Sequence, residues 1–131
     1  MAGVLLDTTV LIDHLRGREG ARARLRTVRE QGDEAYVCAT SVEEVTSGIH
    51  PREDDAFIEL LDGLLVAPLG IAEGRLAGCW RRSLARRGRT VTQSDALVAA
   101  ASVGVGARLA TGNPKDFPMH GVEVAHWSVG E

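Results

Sequence analysis

The chain has 131 residues, of which 44% are hydrophobic and 25% charged, and a formal net charge of −3. At roughly 100–200 residues per domain, this length gives a single domain over residues 1–131 and excludes two independent ones. The near-average composition excludes disordered, collagenous and low-complexity classes, and the charge argues against a generic nucleic-acid coat, which needs a strongly basic domain.

Val4-Leu5-Leu6 reads as a buried strand, ended by Asp7-Thr8-Thr9, residues that favour helix entry. A short helix through Val10, Leu11, Ile12 and Leu15 stops near Gly17, and a second, from Arg18 to Gln31, carries Ala21, Leu25 and Val28 on one face. Ala35 to Ala39 is the second strand, and Thr40-Ser41-Val42-Glu43-Glu44 is a helix start whose helix ends at Gly48. Pro51 opens a helix with Glu53, Asp54 and Asp55 in its first turn, as the macrodipole prefers, running to Gly63. Leu64 to Ala67 is the third strand. From Ile71 to Arg87 a long helix repeats Leu76, Trp80 and Leu84, with Gly88 as its stop. Thr92 to Val103 is the last helix, Ala107 to Ala110 a strand, Asn113-Pro114 a turn, and Val122 to Val124 a final strand.

Alternating strands and helices predict an α/β fold, a parallel sheet covered on both faces. Aromatic residues make up only 4%, so the core must come from Leu, Val, Ile and Ala. Cys38 and Cys79 form no C-x-x-C pair, lack the four ligands of a structural zinc site and read as reduced core residues. The longest apolar stretch falls short of the roughly 20 residues that span a bilayer. The N-terminus has no positive leader before Asp7, so a cytoplasmic protein without membrane association is expected.

In open α/β sheets, ligands bind outside the carboxyl ends of the strands. Four acids belong to that edge: Asp7 after the first strand, Glu44 in the helix after the second, Asp95 in the helix before the fourth, and Asp116 beyond the fourth. Each has a local explanation. Asp7 can be an N-cap, Glu44 can close a capping box with Ser41 and Glu43 one with Thr40, Asp95 can pair with Thr92, and Asp116 can be a turn residue. Together they repel one another unless a cation neutralises them. Oxygen-only ligation favours Mg²⁺ or Mn²⁺ over Zn²⁺, and such sites serve phosphodiester hydrolysis.

The stretches Leu6-Asp7-Thr8-Thr9-Val10-Leu11-Ile12, Ser41 to Gly48, Asp95 to Ala101 and Thr111-Gly112-Asn113-Pro114-Lys115-Asp116-Phe117 resemble, in order and across almost the whole chain, the PIN-domain ribonucleases, most closely the VapC-type toxins of bacterial toxin–antitoxin pairs. The resemblance implies a three-layer α/β/α fold around a parallel sheet of four to five strands and a metal-dependent endoribonuclease. It makes Asp7, Glu44, Asp95 and Asp116 the catalytic, metal-binding acids for one or two Mg²⁺ (or Mn²⁺) ions, with Thr9 and Asn113 as polar helpers. Glu44 is chosen over Glu43 by its E-x-x-x-G spacing to Gly48. Gly112 departs from the family, which often carries a larger or basic residue there.

The resemblance further implies a homodimer, an RNA substrate and a cognate antitoxin, whose seat would lie along Val10, Leu11 and Leu15. Of the 15 basic residues only Lys115 is not Arg. Arg75, Arg82, Arg86 and Arg89 form one stripe and Arg18, Arg22, Arg26 and Arg29 another, suited to phosphate contacts, to a solvated face or to an acidic antitoxin. Arg82 and Arg86 are the substrate-binding candidates. His14, His50, His120 and His126 share no spacing and read as surface or core residues, and Trp80 as core or dimer interface. Two alternatives remain at this level: a non-catalytic RNA- or protein-binding module on the same fold, and a phosphoacceptor receiver domain.

Overall fold

The computed structural model describes residues 3–130. Five parallel strands, β1 (Gly3–Leu6), β2 (Glu34–Val37), β3 (Leu65–Val66), β4 (Arg108–Thr111) and β5 (Val124–His126), form one sheet in the order β3-β2-β1-β4-β5. The connections are α1 (Thr8–Leu15), α2 (Glu19–Glu30), α3 (Ala39–Gly48), α4 (Asp54–Asp62), α5 (Ile71–Arg86) and α6 (Gln93–Gly104), with one-turn 3-10 helices at Pro51–Glu53 and Pro114–Asp116. A receiver domain has the order 2-1-3-4-5. The observed order excludes that alternative.

Strand alternation divides the core into two layers. Leu5 and Leu109 face α5 and α6 in a cluster with Ala77, Val98, Phe117 and Met119. Val4, Leu6 and Ala110 face the other way, with Val10, Leu11, Leu25, Val45 and Phe57 from α1 to α4. The scarcity of aromatics is met by α6, whose Ala96, Ala99, Ala100 and Ala101 are all fully buried. Small side chains let this helix lie close against the sheet while α5 covers its other side. No described helix is long and apolar enough to cross a membrane.

Several expectations need correction. Val10 and Leu11 are buried in the core, so of the expected antitoxin seat only Leu15 reaches a surface cavity. Cys38 is buried as expected, but Cys79 is exposed, because it falls beside the Leu76–Trp80–Leu84 stripe that packs inward. The last strand lies two residues later than expected, since pairing with β4 sets Leu109 opposite Val124 and Thr111 opposite His126. β3 shrinks to two residues, both exposed at the sheet edge. Trp80 packs against the α6 side of the core.

The tight α6 contact predicts that Ala100→Leu costs about 1–3 kcal/mol through overpacking, whereas Val103→Leu on the exposed face stays within about 0.5 kcal/mol of wild type. Urea unfolding of the two variants checks the difference.

Candidate active site

β1 has β2 on one side and β4 on the other, so the crevice where the chain order reverses opens beyond the carboxyl ends of β1 and β4. Asp7 leaves β1 directly into this crevice. It occupies the N-cap position of α1, but its side chain makes no capping bond. Two threonine hydroxyls donate to its Oδ2, Thr111 Oγ1 at 2.7 Å and Thr9 Oγ1 at 3.2 Å.

Each hydroxyl is in turn engaged by the turn after β4. Gly112 N–H donates to Thr9 Oγ1 and Asn113 N–H to Thr111 Oγ1, both at 3.0 Å. With a backbone donor occupying its acceptor side, each hydroxyl directs its hydrogen to the carboxylate. Two parallel relays thus fix one oxygen of Asp7, and Oδ1 receives neither hydroxyl.

Glu44 sits one turn into α3. The helix starts earlier than the sequence suggests, with Cys38 at the N-cap position and no side-chain cap, so the expected boxes Ser41–Glu44 and Thr40–Glu43 do not form. Ser41 is fully buried, its hydroxyl 3.9 Å from Cys38 Sγ. Glu44 is therefore free of capping, and its Oε1 accepts from Thr8 Oγ1 at 2.8 Å. Asp95 lies in the first turn of α6, where its backbone N–H donates to Thr92 Oγ1 at 3.1 Å, so the Thr92 cap forms. Asp116 is exposed at the end of the 3-10 turn after β4. Asn113 is exposed too and reaches the site through its backbone N–H.

The acids feel one another. Burial pushes the Asp95 carboxyl up to about 6; the Thr92 bond opposes this, while the charges of Asp116, Asp7 and Glu44 add to it. Burial likewise raises Asp7, against the Thr111 hydroxyl, the Thr8 main-chain N–H and the Thr9 hydroxyl, and Glu44 contributes to the rise. The structure thus brings all four expected acids into one electrostatic group.

Among the described residues, no three His, Cys, Asp or Glu side chains close on one point as a finished metal cage. The donor set nonetheless fits Mg²⁺, which is held by one or two carboxylates and keeps waters and phosphate oxygens for its remaining positions. Burial first, and then the charges of Asp116, Asp7 and Glu44, raise Asp95 to about 6, and a divalent cation would relieve the repulsive part.

Arg81 Nε donates to the Val91 carbonyl at 3.1 Å, which docks the end of α5 beside the start of α6. Arg82 and Arg86 are both exposed on α5, and Arg82 Nη2 lies 3.8 Å from Cys79 Sγ. The other stripe lies elsewhere. Arg22 donates to the His14 carbonyl and Arg29 to the Gly63 carbonyl, while Arg26 pairs with Glu19 at 3.0 Å. His14, half-buried beside Arg22 and Arg29, has a lowered pKa, from burial first and then from those charges.

Thr8 and Thr111 are the site residues that sequence reasoning missed. Their signal was adjacency: Thr8 follows Asp7, and Thr111 is the last residue of β4, the strand paired with β1.

An open parallel sheet with carboxylates gathered at its switch point defines an α/β protein with an acidic cleft. More narrowly, a family model for the PIN domain matches residues 4–118, and the chain belongs to that family. It is 32% identical over 119 residues to ribonuclease VapC19 of Mycobacterium tuberculosis, covering 88% of this chain and 92% of that protein. Ribonuclease VapC10 of the same organism is 34% identical over 116 residues, covering 88% and 86% respectively. The fold matches that of DNA-bound VapBC from Salmonella typhimurium with a TM-score of 0.84 at 21% identity, covering 97% of this chain and 99% of that one. VapBC2 from Rickettsia felis, bound to a promoter DNA fragment, gives 0.83 at 16% identity with the same coverage. At these identities the structural likeness is one of fold.

Two tests follow. Because the folded-state pKa of Asp95 is raised above its ordinary 3.8, the metal-free fold is favoured with Asp95 protonated, and that contribution is lost as pH rises from about 4 through about 6. Asp95→Asn should therefore stabilise the metal-free protein at pH 7 by about 1 kcal/mol, after allowing for solvent screening. The gain should vanish near pH 4, and thermal melts across this range check it. Thr111→Val should cost about 1–3 kcal/mol by leaving buried polar groups short of a partner, while Thr111→Ser should recover most of the loss in chemical denaturation.

Proposed function

We propose that this chain is a divalent-metal-dependent endoribonuclease, the toxin of a type II toxin–antitoxin pair. The observation that carries the proposal is the gathering of Asp7, Glu44, Asp95 and Asp116 at one edge, where the charges of the other three add to the burial that raises Asp95. The ribonuclease names of the two mycobacterial relatives agree with it.

Asp7, Glu44, Asp95 and Asp116 are assigned as ligands of Mg²⁺ (or Mn²⁺), with Thr9 and Asn113 in support. Such an ion, when bound, supplies charge stabilisation at phosphoryl oxygens and a water of lowered pKa. Asp7 presents Oδ1 with Oδ2 held by two hydroxyls. Glu44 is oriented by Thr8. Asp116 is exposed to solvent. The exposed Arg82 and Arg86 are assigned to phosphates of the bound strand. Direct attack by water on the phosphodiester is the assigned reaction.

The fold neighbours include toxin–antitoxin complexes, and a cognate antitoxin is assigned as partner. Leu15 lines a cavity of about 360 Å³ with His14, Arg22, Arg29 and Leu60, a mixed surface in place of the expected Val10–Leu11 seat. A homodimer has an apolar edge available in Leu65, Val66 and Ile71. The cytoplasm, where RNA is accessible, is the assigned site of action.

Purified protein with Mg²⁺ should cut total cellular RNA into discrete fragments. EDTA should abolish this, and Asp7→Ala and Asp95→Ala should each slow it by at least about 100-fold, beyond the 10–100-fold typical of groups supporting a metal ligand. Intact RNA at every metal concentration, or variants that cut as well as wild type, would leave the non-catalytic binding module as the better reading.

A further inference from the structure

Gly112 is a glycine for lack of space, since its φ is not positive. A Cβ at this position would lie 2.4 Å from Val129 Cγ1, 3.1 Å from Cγ2 and 3.3 Å from Cβ. Rotating a β-branched side chain is costly, and rotation cannot remove the Val129 Cβ from its place. Only a movement of the segment carrying Val129 would clear the clash.

That segment, residues 127–130, is tied down at three points. Trp127 N–H donates to the Thr111 carbonyl at 2.9 Å, extending the β4–β5 ladder. Arg24 Nη1 of α2 donates to the Ser128 carbonyl at 2.9 Å. Gly130 N–H donates at 2.7 Å to Oδ2 of Asp13, a buried carboxylate on α1, and such charge-assisted bonds are among the stronger ones. Between these ties Val129 fits against Gly112, whose N–H, with that of Asn113, feeds the two threonine relays to Asp7.

We propose that residues 127–130 are a positioning strap for Asp7, with Val129 as the positioning residue and Gly112 as its socket. The strap holds the turn after β4, the turn aims the hydroxyls of Thr9 and Thr111, and these fix Asp7 Oδ2. Val129 fills the space that a side chain at position 112 would take. The proposal rests on the assignment of Asp7 as a metal ligand.

The test compares wild type, Gly112→Ala, Val129→Gly and the double variant Gly112→Ala/Val129→Gly. The readouts are Mn²⁺ binding by electron paramagnetic resonance and amide hydrogen exchange at positions 112 and 113. Gly112→Ala should weaken Mn²⁺ binding about tenfold, as loss of a group supporting a metal ligand does, and speed both exchanges. The double variant, with the clash removed and the methyl at 112 in part of the space that Val129 leaves, should bind Mn²⁺ more tightly and exchange more slowly at 112 and 113 than Gly112→Ala alone. If Gly112→Ala does not fold, Val129→Gly alone decides: faster exchange at 112 and 113 with weaker Mn²⁺ binding supports the strap, and unchanged values overturn it. Gly112→Ala behaving as wild type, or a double variant that recovers neither readout, also overturns it. A wild type that takes up no Mn²⁺ would count against the nuclease assignment, and the exchange data would then show on their own whether the strap holds the turn.

Discussion

The acidic cleft depends on one buried carboxylate held by neutral donors. Asp7 is almost fully buried, and an unpaired charge in that position would be costly. A salt bridge would satisfy it but would also spend its charge. Instead two threonine hydroxyls, each backed by a main-chain N–H, take one oxygen and leave the carboxylate its negative charge for use in the crevice. This arrangement exists only because β4 pairs directly with β1, which brings Thr111 beside a residue 104 positions earlier in the chain.

The rest of the fold delivers three further acids to the same edge from separate elements: α3, the start of α6 and the turn after β4. Burial of Asp95, with the charges of its three neighbours added, raises its pKa to about 6 and opposes folding of the charged form. The opposing stabilisation comes from the two apolar layers, including the alanine-rich inner face of α6, which carries Asp95 in its first turn. Core and site are thus coupled: the helix that must pack most closely is the one that carries a charge the cleft strains.

Most of the architecture was legible in the sequence, because apolar runs bounded by glycines and N-cap residues mark parallel strands and their crossover helices without ambiguity. The four acids were legible as a set, since each follows or precedes a strand end. Local rules misled where a tertiary contact outweighed them. The Ser41–Glu44 box fits every helix-start rule, yet α3 begins at Ala39, Ser41 is drawn into the core, and Glu44 turns to Thr8. Val10 and Leu11 sit on a short helix without a decisive period, so their burial could not be told from exposure. Thr111 was hidden for a different reason: its role comes from strand pairing between the two ends of the chain, and the C-terminal segment behind Gly112 is equally remote in sequence.

The most direct measurement of the central claim is a crystal structure of the chain in Mn²⁺, with the anomalous signal collected. The account predicts a peak bound by Asp7 and at least one of Glu44, Asp95 and Asp116, with Thr9 and Thr111 still bonded to the other oxygen of Asp7. Absence of a peak at saturating Mn²⁺, or a peak away from these acids, would contradict it.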